Sequence, residues 1–205
     1  MPATQRQSVD ASLGAPRVPP DVPVDRVVLS VLGPHAGESV AAIFERKMAD
    51  IDAVDGTFWL CNSPAARPDR VQSFFSAASD TRVYFLAPAT KGGARPTTSV
   101  DHMTEFSPNK RVWKPFPAGL GPVTGKRSAG AYAFALWEIV LRDDIAVDLW
   151  DWATPAGDPI QFRLGASTLL ARRCDTSASP ERAKTRMRQV VAVGRLSSPY
   201  AVWVR

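Results

Sequence analysis

Arg26-Val27-Val28-Leu29-Ser30-Val31-Leu32, closed by Gly33-Pro34, sets how the rest of the chain is read. A run of β-branched and aliphatic residues ended by two chain breakers predicts a buried strand. Downstream, Val40, Ile43, Phe44, Met48, Ile51 and Val54 recur at helical spacing, with Glu45, Arg46 and Asp52 between them. That pattern predicts an amphipathic helix with Gly56 as its C-cap. Thr57-Phe58-Trp59-Leu60-Cys61 reads as a second, central strand. Pro68-Asp69 opens a second helix burying Val71, Phe74, Phe75 and Ala78, and Arg82 to Leu86 form a third strand. The first half therefore reads β-α-β-α-β.

Towards the N-terminus the pattern dissolves. Residues 1–24 are rich in Pro, Ser, Ala and Gln, and Pro16, Pro19, Pro20 and Pro23 forbid a helix by removing N–H donors and fixing φ. This lead is expected to be disordered, with a single globular domain over 25–205. It has no apolar h-region of the kind a secretory signal needs, and no apolar run reaches the ~20 residues that span a membrane. A cytoplasmic chain is the expectation.

Towards the C-terminus, residues 87–128 hold many Gly and Pro and read as one long loop, a length often tied to function. Ala131 to Leu141 and Ile145 to Trp152 read as strands separated by a solvated turn at Arg142-Asp143-Asp144. Short strands follow at Ile160 to Leu164 and Thr168 to Ala171. Ser179-Pro180-Glu181 begins a short basic helix, with Ser as N-cap and Pro in the first turn. Val190 to Val193 and Ala201 to Val204 close the chain as strands. The fold expected is mixed α/β: a mostly antiparallel sheet or partial barrel with two packed helices and one exposed basic helix. A Rossmann-like parallel half at the N-terminus is the alternative.

The chain has 205 residues, 45% hydrophobic and 22% charged, with a formal net charge of +5. Such a balance favours polyanionic partners. Charge is also segregated. Phe106 to Trp137 contains Lys110, Arg111, Lys114, Lys126 and Arg127 and no acid. Arg172 to Arg188 is basic, while Glu138 to Asp158 carries Glu138, Asp143, Asp144, Asp148, Asp151 and Asp158 against Arg142. Cys61 and Cys174 lie far apart without metal-ligand spacing, so two buried thiols are expected rather than a zinc site or a disulfide framework.

Three motifs invite chemistry. Gly119-Leu120-Gly121-Pro122-Val123-Thr124-Gly125-Lys126-Arg127-Ser128 looks like a phosphate loop, but Arg127 stands where the magnesium-binding hydroxyl belongs and a strand follows instead of a helix. It reads as a turn. His35 lies between a strand and a helix, and reads as a surface residue because nothing places it near a nucleophile. The acids of 138–158 lack the Glu/Gln-x-Lys of a PD-(D/E)xK nuclease, since Gln161-Phe162-Arg163 offers an arginine that cannot act as a base. No cofactor is expected.

Aromatic residues interleaved with cations point elsewhere. Trp113 is flanked by Lys110, Arg111 and Lys114, a pattern that suits base stacking beside phosphate pairing, and Lys91 and Arg95 add a flexible basic turn. Trp137 and Trp203 lie in apolar strands and read as core. In addition, Phe58-Trp59-Leu60-Cys61-Asn62-Ser63-Pro64 resembles the opening strand of EVE domains, which are similar to YTH and other PUA-like barrels. The order of elements that follows is also similar. Members of that group read nucleic acids, often through a modified base held in an aromatic pocket. The resemblance places Trp59 and Ser63 in a base pocket. Asn62 departs from the basic residue common there, and residues 26–55 have no counterpart in the pattern.

The function expected from these features is binding of DNA or RNA without catalysis. One contact would use Lys91, Arg95, Lys110, Arg111, Trp113, Lys114, Lys126 and Arg127. A second would use Arg182, Lys184, Arg186 and Arg188 on the basic helix. A metal-dependent nuclease or nucleotide-processing enzyme, and an interaction subunit of a larger protein assembly, are the rival readings.

Overall fold

A computed structural model describes residues 24–33, 35, 37–61, 63–87, 101–125, 132–160, 168–174 and 186–205. Strand β1 (Arg26–Val31) leads into helix α1 (Val40–Val54), strand β2 (Thr57–Cys61), helix α2 (Pro68–Phe75) and strand β3 (Arg82–Leu86). Four short strands follow: β4 (Asp101–Met103), β5 (Glu105–Ser107), β6 (Lys114–Pro115) and β7 (Val123–Gly125). The remainder is β8 (Tyr132–Asp148), β9 (Trp152–Ala153), β10 (Thr168–Arg173) and β11 (Met187–Val204).

The principal sheet runs β2-β8-β11-β3-β1-β10-β9, with β5 and β6 added beside the end of β11. Its pairings are antiparallel apart from β1 with β3. Among the described residues the fold is thus mixed α/β, with two α-helices on a largely antiparallel sheet that does not close. The β-α-β-α-β order does not make a Rossmann half. β2 leaves the parallel pair and lies at the far edge, hydrogen-bonded to β8.

The sheet turns on two long strands. β8 and β11 stay paired from Met187↔Asp148 to Trp203↔Tyr132. Expected turns become irregularities inside them. Val190 faces Ile145 and Ala192 faces Leu141, so Arg142, Asp143 and Asp144 bulge opposite Val191 rather than ending a strand. Gln189 donates to the Asp143 carbonyl at 2.9 Å, and Arg142 grips Asp144 at 2.6 Å. Trp137 bulges from β8 between Arg195↔Glu138 and Leu196↔Leu136, and in β11 Ser197 to Tyr200 form a third irregularity between Leu196↔Leu136 and Ala201↔Phe134. Bulges let a long strand bend and twist while its ladder continues.

Helix α1 is capped by Ser39, whose Oγ accepts the Ala42 N–H at 3.2 Å. Asp55, at φ 57°, takes the left-handed C-cap position expected of Gly56. Both helices cover one face of the sheet, where Phe44, Val71 and Phe75 pack with Val28, Val83, Phe85, Phe134 and Leu136. A second core, with Val27, Leu29, Trp152 and Ile160, also takes in Val24, so the end of the expected lead is buried. A third core lies under the short strands, where Met103, Val123, Val202 and Val204 meet Phe58, Phe106 and Phe116.

Candidate functional site

Among the described residues, β2 pairs with β8 on one side only. Between it, the end of β1, helix α1 and β7 lies a cavity of about 510 Å³. Ser30 to Gly33, His35, Ile43, Arg46 and Lys47 form one wall, and Phe58 to Cys61, Ser63, Pro122 to Thr124 and Thr168 the other. A cavity of this size lies within the range of ordinary small-ligand sites.

The two residues assigned to a base pocket, Trp59 and Ser63, both line this cavity. The Trp59 ring is held by Phe85 at 4.3 Å and Phe44 at 5.3 Å. The Ser63 hydroxyl donates to the Thr168 carbonyl at 2.7 Å, tying the end of β2 to the start of β10 across the open side of the sheet. Ser30 Oγ and Thr168 Oγ1 lie 2.9 Å apart, joining the two walls. Cys61 is buried, which raises its thiol above the ordinary range.

The charged residues of α1 escape a hydropathy reading. Lys47 and Asp50 are both only 4% exposed. Lys47 Nζ reaches Asp50 Oδ2 at 3.2 Å, Thr57 donates its hydroxyl to the same oxygen at 2.7 Å, and the Gly121 N–H donates to Oδ1 at 2.7 Å. Burial lowers the Lys47 ammonium to about 8, against the opposing pull of Asp50. Burial works against the Asp50 charge too, but Thr57, Gly121 and Lys47 together hold its carboxyl below the ordinary value. Arg46 clasps Glu38 through Nε at 2.8 Å and Nη2 at 2.6 Å, and donates to the Pro122 carbonyl at 3.1 Å. That pairing lowers Glu38 and raises Arg46. His35 is half-buried at the cavity, with Nε2 3.1 Å from the Thr124 carbonyl, and is not the surface histidine expected.

The basic hairpin lies against the back of β2. Phe58 packs on Phe106 at 5.0 Å and Phe116 at 4.9 Å, on either side of the β5–β6 turn. Asn109 Oδ1 accepts the Arg111 N–H at 2.9 Å, which shapes the turn, and Lys110 takes φ 63°. Lys110, Arg111 and Lys114 are exposed. Lys110 Nζ stands 3.7 Å from the Trp203 ring centre, and Arg67 covers the same ring at 5.8 Å. Arg205 stacks on Trp113 at 4.1 Å. Trp203 is therefore a half-exposed platform among cations, not the core residue its strand predicts, and Trp137 is likewise half-buried under Arg195. Sequence reasoning misreads Trp203 because the apolar pattern of β11 favours burial, and misses Arg67 and Arg205 because only the fold brings them to the two indole rings.

Other expected contacts fare differently. Lys91, Arg95, Lys126, Arg127, Arg182 and Lys184 lie outside the described residues. Arg188 belongs to β11, facing Val147, and Arg186 immediately precedes that strand, so neither sits on a helix. Pairing with β8 carries the strand back to Met187, over the last of the residues expected to be helical, whereas 179–185 lie outside the described residues. Among the described residues, no three His, Cys, Asp or Glu side chains gather as a metal site would need. Asp148 instead caps the turn at Trp150 with an N–H···O bond of 3.1 Å. No helix among the described residues is long and apolar enough to cross a membrane. No protein-family model, curated protein or solved structure matches the chain.

Proposed function

We propose that this chain binds single-stranded nucleic acid, with one base entering the cavity beside β2 and the flanking backbone running over the β5–β6 hairpin. One observation carries the reading. β2 presents Trp59 to the cavity, while Phe58 of the same strand seats the hairpin bearing Lys110, Arg111, Trp113 and Lys114. Pocket and cationic surface are thus mechanically joined. Apolar lining from Phe58, Trp59 and Leu60 suits the flat faces of a base. Arginine and lysine next to indole rings suit phosphates and stacked neighbours.

The reading involves no catalysis by the chain. Its rival, a metal-dependent nuclease, would need carboxylates to converge, and Asp148 and Asp144 are engaged locally with Trp150 and Arg142. The test is a fluorescence titration of the full chain against single-stranded and duplex DNA and RNA at two salt concentrations. Micromolar or tighter binding that weakens steeply with salt is expected, because phosphate contacts release condensed counterions. Absence of micromolar binding at low salt overturns the reading.

A further inference from the structure

Three buried polar side chains line the cavity among the described residues: Ser30, Lys47 and Thr168. Ser30 and Thr168 satisfy one another at 2.9 Å. Lys47 does not reach that state. An ammonium has three N–H donors, and Asp50 Oδ2, at 3.2 Å, is its acceptor among the described residues. The remaining donors belong to a side chain that borders the cavity. A buried donor left without an acceptor carries a desolvation cost that a ligand oxygen would offset.

Charge narrows the choice of oxygen. Lys47 is matched by Asp50 at 3.2 Å and Arg46 by Glu38 at 2.6 Å, so the cationic wall is already neutralised. A doubly charged phosphate would find no surplus cation in these pairs. A carbonyl on a neutral ring meets the ammonium without that repulsion, and Phe58, Trp59 and Leu60 supply apolar surface for the ring.

Building on the nucleic-acid reading, we propose that the cavity selects an oxo-base, whose ring carbonyl accepts from the Lys47 ammonium, over a base presenting an amino group at that position. An exocyclic amine would set donor against donor, and such mismatches discriminate more strongly than a merely absent contact.

The comparison is a short oligo-adenosine against the same oligomer with one central inosine, which exchanges the 6-amino group for a carbonyl and the unprotonated N1 for an N1–H. The full chain should bind the inosine oligomer about 10-fold more tightly, the scale of a hydrogen bond to a charged group. Lys47→Met should bring the ratio close to one. If that variant does not fold, Lys47→Met with Asp50→Asn removes both charges together and should give the same ratio. Equal binding of the two oligomers by the unmodified chain overturns the oxo-base inference and leaves nucleic-acid binding standing. A preference that persists in a folded Lys47 variant overturns it too, by moving the selection elsewhere. Failure of both oligomers to bind at low salt removes the nucleic-acid reading, and the inference with it.

Discussion

Asp50, in the C-terminal third of α1, accepts the backbone N–H of Gly121 at 2.7 Å, and a Cβ added to Gly121 would meet that same carboxylate oxygen at 2.7 Å. The loop leading into β7 is thereby fastened to the helix by a contact that only glycine permits at this separation. β7 supplies Val123 and Thr124 to the cavity wall, so the fastening also positions the site.

Gly121→Ala should force Asp50 away from the loop. The neighbouring Arg46 side chain, 3.4 Å from where the added methyl would sit, leaves little room on the other side. Overpacking of this kind costs typically ~1–3 kcal/mol. Urea denaturation should show the loss as a lower midpoint with an unchanged slope. A midpoint equal to that of the unmodified chain would mean that the loop moves freely off the helix.

Asp50→Ala should be more damaging, because it strands Lys47 as a buried cation. Removing one partner of a buried pair costs about 3–5 kcal/mol. The double change Lys47→Met with Asp50→Ala should cost less than the sum of the single changes, since the second removes the charge exposed by the first. Additive losses in that cycle would show that the two side chains do not interact in solution.

The pair also makes a pH prediction. The folded Lys47 pKa of about 8 lies below the ordinary lysine value of 10.5. Between those values the unfolded chain binds more protons, so stability contributed at Lys47 rises with pH and its burial penalty is greatest below pH 8. Asp50, Glu38 and Arg46 keep their charges there, since both carboxyls are lowered and the guanidinium is raised. Cys61, raised by burial, opposes the trend as pH increases but is common to both proteins compared. The unfolding free energy of the unmodified chain should therefore gain on that of Lys47→Met from pH 7.5 to 9.5. A constant difference would show that Lys47 titrates normally in the folded state.

How much of this is legible in the sequence depends on periodicity. The spacing of Val40, Ile43, Phe44 and Met48 marks α1, which buries one apolar stripe, and the continuous apolar runs at Val27 to Val31 and Val83 to Leu86 mark β1 and β3, which are covered on both faces. Their neighbours in the sheet are not marked. β2 follows α1 in sequence yet pairs with β8, a choice made by long-range hydrogen bonding that no local window contains. The acid-rich Arg142-Asp143-Asp144 reads as a turn because charge usually marks solvent, whereas a bulge exposes charge without ending the strand. A motif singles out Trp59 and Ser63, which line the cavity. Lys47 and Asp50 escape notice for the converse reason. Their burial depends on mutual pairing and on Thr57 and Gly121, which come from other parts of the chain.

The hairpin offers the remaining test, and its design separates charge from stacking. Lys110, Arg111 and Lys114 are exposed, so changing all three to Ala should leave the fold intact. If each neutralises a phosphate of a single strand, the change should reduce the salt slope of binding by about 2, at ~0.7 per contact. Trp113→Ala should instead cost about 1–3 kcal/mol of binding with the slope little altered, because a base stacked on an indole releases no counterion. Arg205 already covers one face of that indole at 4.1 Å, so the base would use the other, and Arg205→Ala should free the ring and loosen its orientation. Its ion pair with Glu105 at 2.7 Å would be lost as well, a small effect for a pair this exposed. Titrations of the three variants at two salt concentrations, with circular dichroism to verify folding, give the outcome. A triple variant with unchanged affinity and slope would take the hairpin out of the interface and leave Arg186 and Arg188, at the start of β11, as the next cations to change.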